Sequence, residues 1–392
     1  MEQNLEIAIK SEIEQVFGRR VVSSRDCIEL SDDIYHKTKF QLNSNTLRRF
    51  FSLVKAAYPP SQSTLSILSK YCGFHSPDDL LNIKKSTPAQ SDGTVVNRES
   101  VLHHLVSMLM IDVKDSSDET FLSIVSQIIE FITLHQFLAD RFQSLISKTD
   151  NGVKFYFEQF VNTDKLNSFY GEGLRYYIKG KGTEDAQSYA SSIYILRDWL
   201  NGNNESLKRN ALQLLQERHV NFEHSFMYGR YYAALLLNAN VSKTETTKLL
   251  SDIQDFHHNL VLEYQGTREH MMFTYVVCEA LALTAHYEEV LHYFQLFSIK
   301  KYVIKDAGTL NYYHNLLLLE SYSLYKLGQH NQAEKIFDKI KASKFCFLNT
   351  KFSHIIYLYL LRAIKPKNKG YDEQIQSLIA ETGFLRLNDI FG

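Results

Sequence analysis

Apolar residues recur along this chain at steps of three and four almost from end to end, the spacing that gathers them on one face of an α-helix. Residues 3–17 carry Leu5, Ile9, Ile13 and Val16 on one stripe. After the break GRRVVSSRD, a second helix is predicted from Asp26 to about Lys39, burying Ile28, Leu30, Ile34 and Tyr35. A polar turn at residues 41–44 follows, where Asn43 or Ser44 suits a cap that accepts the free amide protons of the next helix. That helix is predicted over Asn45 to about Ala57, with Leu47, Phe50, Phe51 and Val54 inward. Pro59-Pro60-Ser61 ends it and starts another, with Leu65, Leu68 and Tyr71 inward and Gly73 as its C-cap. A short helix from Pro77 to Ile83 closes the unit.

The stretch KKSTPAQSDGTVVNR then loses periodicity and reads as a linker. The expected organisation is a small N-terminal unit at 1–85, a linker at 86–98 and a helical domain at 99–392. No segment alternates with period two, so the fold class is all-α.

The later domain repeats itself. Residues 325–337, YKLGQHNQAEKIF, have the form of a tetratricopeptide helix–turn–helix. Ser321 is the small residue where the first helix presses on the second, Gly328 sits in the turn, and Ala333, Phe337 and Ile340 lie on the packing face. A shift of 43 residues puts Cys278, Ala285, Val290, Phe294 and Phe297 in the same roles. A further shift reaches Leu235 and Thr247 in a degenerate copy, and another reaches the helix near Glu205. An array of helical hairpins follows, because each pair buries its apolar face only against its neighbours.

Composition adds little until it is read locally. Five prolines and sixteen glycines among 392 residues favour long helices. Four cysteines, Cys27, Cys72, Cys278 and Cys346, stand far apart, which argues for reduced structural thiols rather than a disulfide framework or a zinc site. The N-terminus is an acidic amphipathic helix rather than a signal peptide, and no apolar run reaches a membrane span of about 18 residues. A cytoplasmic protein with no membrane association is expected. The net charge of −1 is uninformative, but between Asp33 and Asp78 no acid occurs while Lys37, Lys39, Arg48, Arg49, Lys55 and Lys70 all fall there.

Catalytic patterns are absent: there is no nucleophile elbow, no GxxxxGK[ST] and no HExxH. Gly180-Lys181-Gly182 has no preceding strand and reads as a break between helices. His257, His258 and His270, or His286 and His292, repeat no ligand spacing and read as core or surface side chains. No enzyme activity, cofactor or metal is expected.

The N-terminal unit instead suits duplex DNA. A helix-turn-helix lays the start of its second helix against base edges while the preceding helix crosses the backbone. With Leu47, Phe50 and Phe51 inward, Asn45, Thr46, Arg48, Arg49 and Ser52 face outward. Arg grips guanine, Asn pairs with adenine, and Thr meets a methyl group or a phosphate. Lys37, Lys39 and Lys55 flank them as phosphate contacts that fix register.

The order LSDDIYHKTKFQLNSNTLRRF followed by PPSQSTLSILSKYCGF resembles the Cro/C1 (Xre-type) helix-turn-helix family over residues 26–75. Ser44, Thr46, Leu47 and Arg49 fall on that family's turn and recognition helix. Pro60, Ser61, Thr64, Leu65, Leu68 and Gly73 fit the helix after it. Phe51 stands where the family often has Glu, and FSLVKAAYPPS is longer than its usual loop. Such a head followed by tetratricopeptide-like hairpins is similar in layout to peptide-sensing transcriptional regulators of the Rgg/PlcR/PrgX kind. That likeness implies a homodimer whose repeat domain binds a peptide or protein. Outward positions of the first helices are then the groove: Tyr232, then Met272, Tyr275, Glu279 and Ala282, then Asn315, Leu318, Tyr322 and Tyr325. An Asn can hold a peptide backbone, and Tyr supplies rigid contact area. The alternative is a scaffold whose N-terminal unit binds protein rather than DNA.

Overall fold

A computed structural model describes residues 9–54 (except 11, 15 and 18), 60–72, 98–111, 118–216, 221–264, 268–296, 312–365 and 370–391. Every regular element among them is a helix, so the chain is all-α. It divides into two compact units, residues 1–98 with His135–Leu138, and Glu99–Leu134 with Ala139–Gly392.

The first unit is built on α1 (Ser24–Thr38), α2 (Ser44–Phe50) and α3 (Gln62–Tyr71), preceded by helical residues within 9–17. Cys27, Leu30 and Ile34 of α1 meet Leu47, Phe50, Leu65, Leu68, Tyr71, Ile9 and Ile13 in one core. Ile28 and Tyr35, expected inside, are about half exposed, because the α1 stripe that faces the core is Cys27-Leu30-Ile34. The predicted helix to Ala57 stops at Phe50, where Ser52 turns left-handed at φ +59°. Phe51 is therefore half-buried and Val54 exposed. The short closing helix, Gly73 and residues 86–97 of the linker lie outside the described residues, while Arg98 already belongs to the next helix.

The second unit begins with α4 (Arg98–Leu109), α5 (Glu119–Leu134), α6 (Ala139–Ile146), a π-helical stretch Gly152–Gln159 and α7 (Phe169–Lys181). The Gly-Lys-Gly sequence finds a structural role here. A Cβ on Gly180 would stand 2.0 Å from the Ser147 carbonyl oxygen, so α7 packs closely there. Gly182 is the left-handed C-cap, and Lys181 bonds buried Glu158.

Five helical hairpins follow: α8 (Glu184–Leu200) and α9 (Asn204–Gln216), α10 (Ser225–Ser242) and α11 (Thr247–Tyr264), α12 (Arg268–Leu283) and α13 (Tyr287–Leu296), α14 (Tyr313–Lys326) and α15 (His330–Phe337), and α16 (Thr350–Ile364) and α17 (Tyr371–Thr382). Each first helix packs on the next first helix, and each second helix packs on its own partner. α9, α11 and α13 also touch the first helix that follows. The Ser321 hydroxyl donates to the Ala333 carbonyl at 2.9 Å, locking α14 to α15 through a side chain small enough for close approach. The turns share a left-handed residue after the first helix: Gly202, Lys243, Ala285 and Gly328. A last helix, α18 (Leu387–Phe391), ends the described chain. All four cysteines are buried and none is in a disulfide, and no single helix among the described residues is long and apolar enough to cross a membrane.

Candidate functional site

In the first unit, caps decide where the helices begin. Ser23 and Asp26 close the start of α1 reciprocally: the Ser23 hydroxyl accepts the Asp26 amide at 3.2 Å, and the Asp26 carboxylate accepts the Ser23 amide at 2.8 Å. The Ser23 hydroxyl, with the Val22 and Ser23 amides and Arg19 behind it, holds the Asp26 carboxyl below the usual carboxylate range against the opposing effect of burial. Lys39 ends α1 left-handed, and the Ser31 hydroxyl donates to the Leu42 carbonyl across the turn. The Asn43 side chain then accepts the Asn45 amide at 2.8 Å and starts α2.

This places the expected DNA-facing residues on the outer side of α2, though unequally. Asn45 and Arg49 are exposed, and Thr46 and Arg48 are half-buried. Arg48 is braced: its Nε donates to the Ser24 hydroxyl at 2.9 Å and its Nη1 to the Asn45 side-chain oxygen at 3.0 Å. Lys37 is engaged as well, 2.9 Å from the Asp33 carboxylate and over the Tyr71 ring. Lys39 is exposed, and Lys55 lies outside the described residues. One cation was missed. Lys10 donates to the Ser52 hydroxyl at 3.1 Å and stands over the Phe50 ring, beside the end of α2. Its sequence signal was only its place off the apolar stripe of residues 3–17.

The expected groove residues in the hairpin array are not gathered on an open face. Tyr275 is fully buried, donates to Glu279, accepts from Asn349 and stacks on Tyr312 with ring centroids 4.3 Å apart. Buried Asn315 donates to Asn349 at 3.1 Å and Ser353 at 2.7 Å, and accepts the Cys346 amide at 3.1 Å. Its side chain is thus spent on joining two hairpins. Tyr322 is enclosed by Tyr287, Tyr359 and Phe391. Tyr232 and Tyr325 remain half-exposed, Tyr232 against Phe256 and Phe273, Tyr325 against His330 and Tyr359. Burial pushes the Tyr232 phenol up to about 12. Met272, Glu279, Ala282 and Leu318 are buried too. The outward reading fails at these positions because helices already satisfy one another there.

A small cavity of about 10 Å³, the room of one water, lies among Glu158, Gln159, Arg230, Met272, Tyr275 and Tyr312. Arg230 and Glu279 pair beside it. Elsewhere, His257 and His270 are buried with their Nε2 atoms 3.0 Å apart, so one carries the proton that the other accepts. No group of three His, Cys, Asp or Glu among the described residues could hold a metal ion.

Compared with protein-family models, with curated proteins and with solved structures, the chain finds no match.

Proposed function

We propose that this chain is a DNA-binding regulator whose tetratricopeptide-like array binds a peptide or protein and makes it a homodimer. The observation that carries this reading is the pair Asn45 and Arg49. They stand exposed on the first turns of a short helix whose opposite face, Leu47 and Phe50, is buried. Around them, Arg48, Lys39 and Lys10 supply positive charge, and the Asn43 cap and the Arg48–Ser24 bond fix α2 against α1. A rigid helix with one bidentate donor and one amide outward is what base reading in the major groove requires. The regular succession of first and second helices favours the repeat part of the reading. The test is selection of bound duplexes from genomic fragments at low salt, followed by titration against salt. Binding that weakens with a log–log slope of about −3 to −5 per protomer supports it, for about three to five phosphate contacts. No enrichment of any fragment sinks it.

The scaffold reading has one observation in its favour. Lys37 and Arg48 already have partners within the unit, which leaves fewer cations for phosphates. It predicts a protein partner retained at high salt.

A further inference from the structure

Residues 158–168 are bonded to both the first and the last hairpins of the array. The Glu158 carbonyl accepts the Tyr189 hydroxyl of α8 at 2.6 Å. Glu158, Gln159 and Val161 then line the small cavity with Phe226 and Arg230 of α10, Met272, Tyr275 and Val276 of α12, and Tyr312. Further on, the Asp164 amide donates to the Leu348 carbonyl at 3.1 Å. The Asp164 carboxylate accepts the amides of Lys351 at 2.8 Å and Phe352 at 3.0 Å, in the first turn of α16. Asn167 donates to the Thr382 carbonyl at 2.8 Å, at the end of α17. The chain thus sets its own segment against the first helices of the array.

The fit is incomplete. Glu158 Oε2, Gln159 Oε1 and Asn162 Oδ1 are buried acceptors with no donor among the described residues, and a buried acceptor left unpaired costs stability. Burial also pushes the Asp164 carboxyl up to about 6, against the pull of the two amides. The π-helical stretch that leads into the segment is a rare conformation, more often found where function demands it.

We propose that residues 160–168 are an exchangeable occupant of the array, and that an acidic peptide replaces them by presenting its own carboxylate to the Lys351 and Phe352 amides. This rests on the reading of the array as a partner-binding domain. Asp164 is the contact that an incoming carboxylate copies. The Asn162 side-chain oxygen returns to water when the segment lifts.

Two measurements on the full chain test it. Native-state hydrogen exchange is expected to show the amides of 160–168 opening at least 100-fold more readily than those of α10 and α12. A labelled synthetic peptide of residues 158–168, EQFVNTDKLNS, is expected to bind the Asp164→Ala chain at least tenfold more tightly than the wild type. The same peptide with Ala in place of its Asp is expected not to bind. Asp164→Asn is the second variant, should the alanine chain fail to fold. Exchange of 160–168 only through global unfolding overturns the proposal, as does a folded variant that ignores the peptide. If the segment opens and admits its own peptide while a random acidic peptide library yields no ligand, the segment is exchangeable and the partner-binding reading is what falls.

Discussion

Arg230 and Glu279, on successive first helices of the array, meet at 3.3 Å with their side chains no more than 6% exposed. Glu279 also accepts the Tyr275 hydroxyl, so one carboxylate ties α10 and α12 together and anchors a tyrosine. A buried pair is a poor source of net stability, but breaking it leaves a charge without compensation. Glu279→Leu is therefore expected to destabilise the chain by about 3–5 kcal/mol, and Arg230→Met combined with Glu279→Leu to recover most of that loss. Urea midpoints of the two single variants and the double variant check this. Additive losses in the double variant count against it.

The hairpin turns give a prediction of opposite sign. Lys243 and Ala285 hold φ values of +54° and +66° at positions where the equivalent turns have Gly202 and Gly328. A side chain in the left-handed region costs about 1–2 kcal/mol, partly offset by the greater freedom glycine brings to the unfolded chain. Lys243→Gly and Ala285→Gly are each expected to stabilise by about 0.5–1 kcal/mol. Gly328→Ala is expected to destabilise. Thermal melts of the three variants decide it, and a lower midpoint for both glycine variants contradicts the argument.

Acid should loosen the array. Burial first, then the neighbouring His270, pushes His257 down to about 3, and burial pushes His270 down to about 4. His224 is pushed down to about 4 by burial and then by Lys154. In the unfolded chain all three take up protons near pH 6.5. Between there and about pH 4 the unfolded state binds protons that the folded state refuses, so stability falls as pH falls. Each group contributes at most about 1.4 kcal/mol per pH unit. Asp164 works the other way. Its carboxyl, raised from 3.8 to about 6, takes a proton in the folded state first and so opposes the loss in that window. Denaturation midpoints measured from pH 7 to 4.5 should fall in the wild type and fall less steeply in His257→Gln. Parallel curves would falsify the assignment to this histidine pair.

What the sequence reveals and what it hides have different physical causes. The Asn43 cap, the Ala285 and Gly328 turns and the packing role of Ser321 are local. Each needs only a few neighbouring residues, and each is where the pattern puts it. The end of α2 was misplaced because an apolar run continues through Val54 while the backbone reverses at Ser52. Tyr275, Asn315 and Tyr322 were assigned outward because polar groups at helix-face positions look solvent-bound. Apart from Glu279, one turn along the same helix from Tyr275, their partners Asn349, Ser353 and Phe391 are 34 to 74 residues away, and periodicity carries no trace of them. The docking of 158–168 onto α16 was invisible for the same reason, since Asp164 meets amides 187 residues along the chain. A lysine and an aspartate four residues apart, Lys37 and Asp33, could have been paired from sequence alone.

On the proposed DNA-binding reading, the surface of α2 is expected to separate base reading from backbone contact residue by residue. Arg49 is exposed and its side chain makes no bond to another described residue, so Arg49→Ala is expected to cost about 1–3 kcal/mol at one base pair if it grips guanine, and to relax preference there alone. Arg48 is already shared between Ser24 and Asn45. Its loss should weaken all duplexes alike, because it frees Asn45 and loosens α2 from α1. Lys37 is held by Asp33, so Lys37→Ala is expected to change affinity less than Lys39→Ala, whose side chain stands exposed. The Asp33→Asn variant removes the competing carboxylate and should tighten binding and steepen the salt slope by up to about one unit. Fluorescence anisotropy on one selected duplex and its single-base variants, at two salt concentrations, reads all four effects. A uniform loss on Arg49→Ala, with no position singled out, would assign that arginine to a phosphate instead and leave base reading on this helix to Asn45 and Thr46.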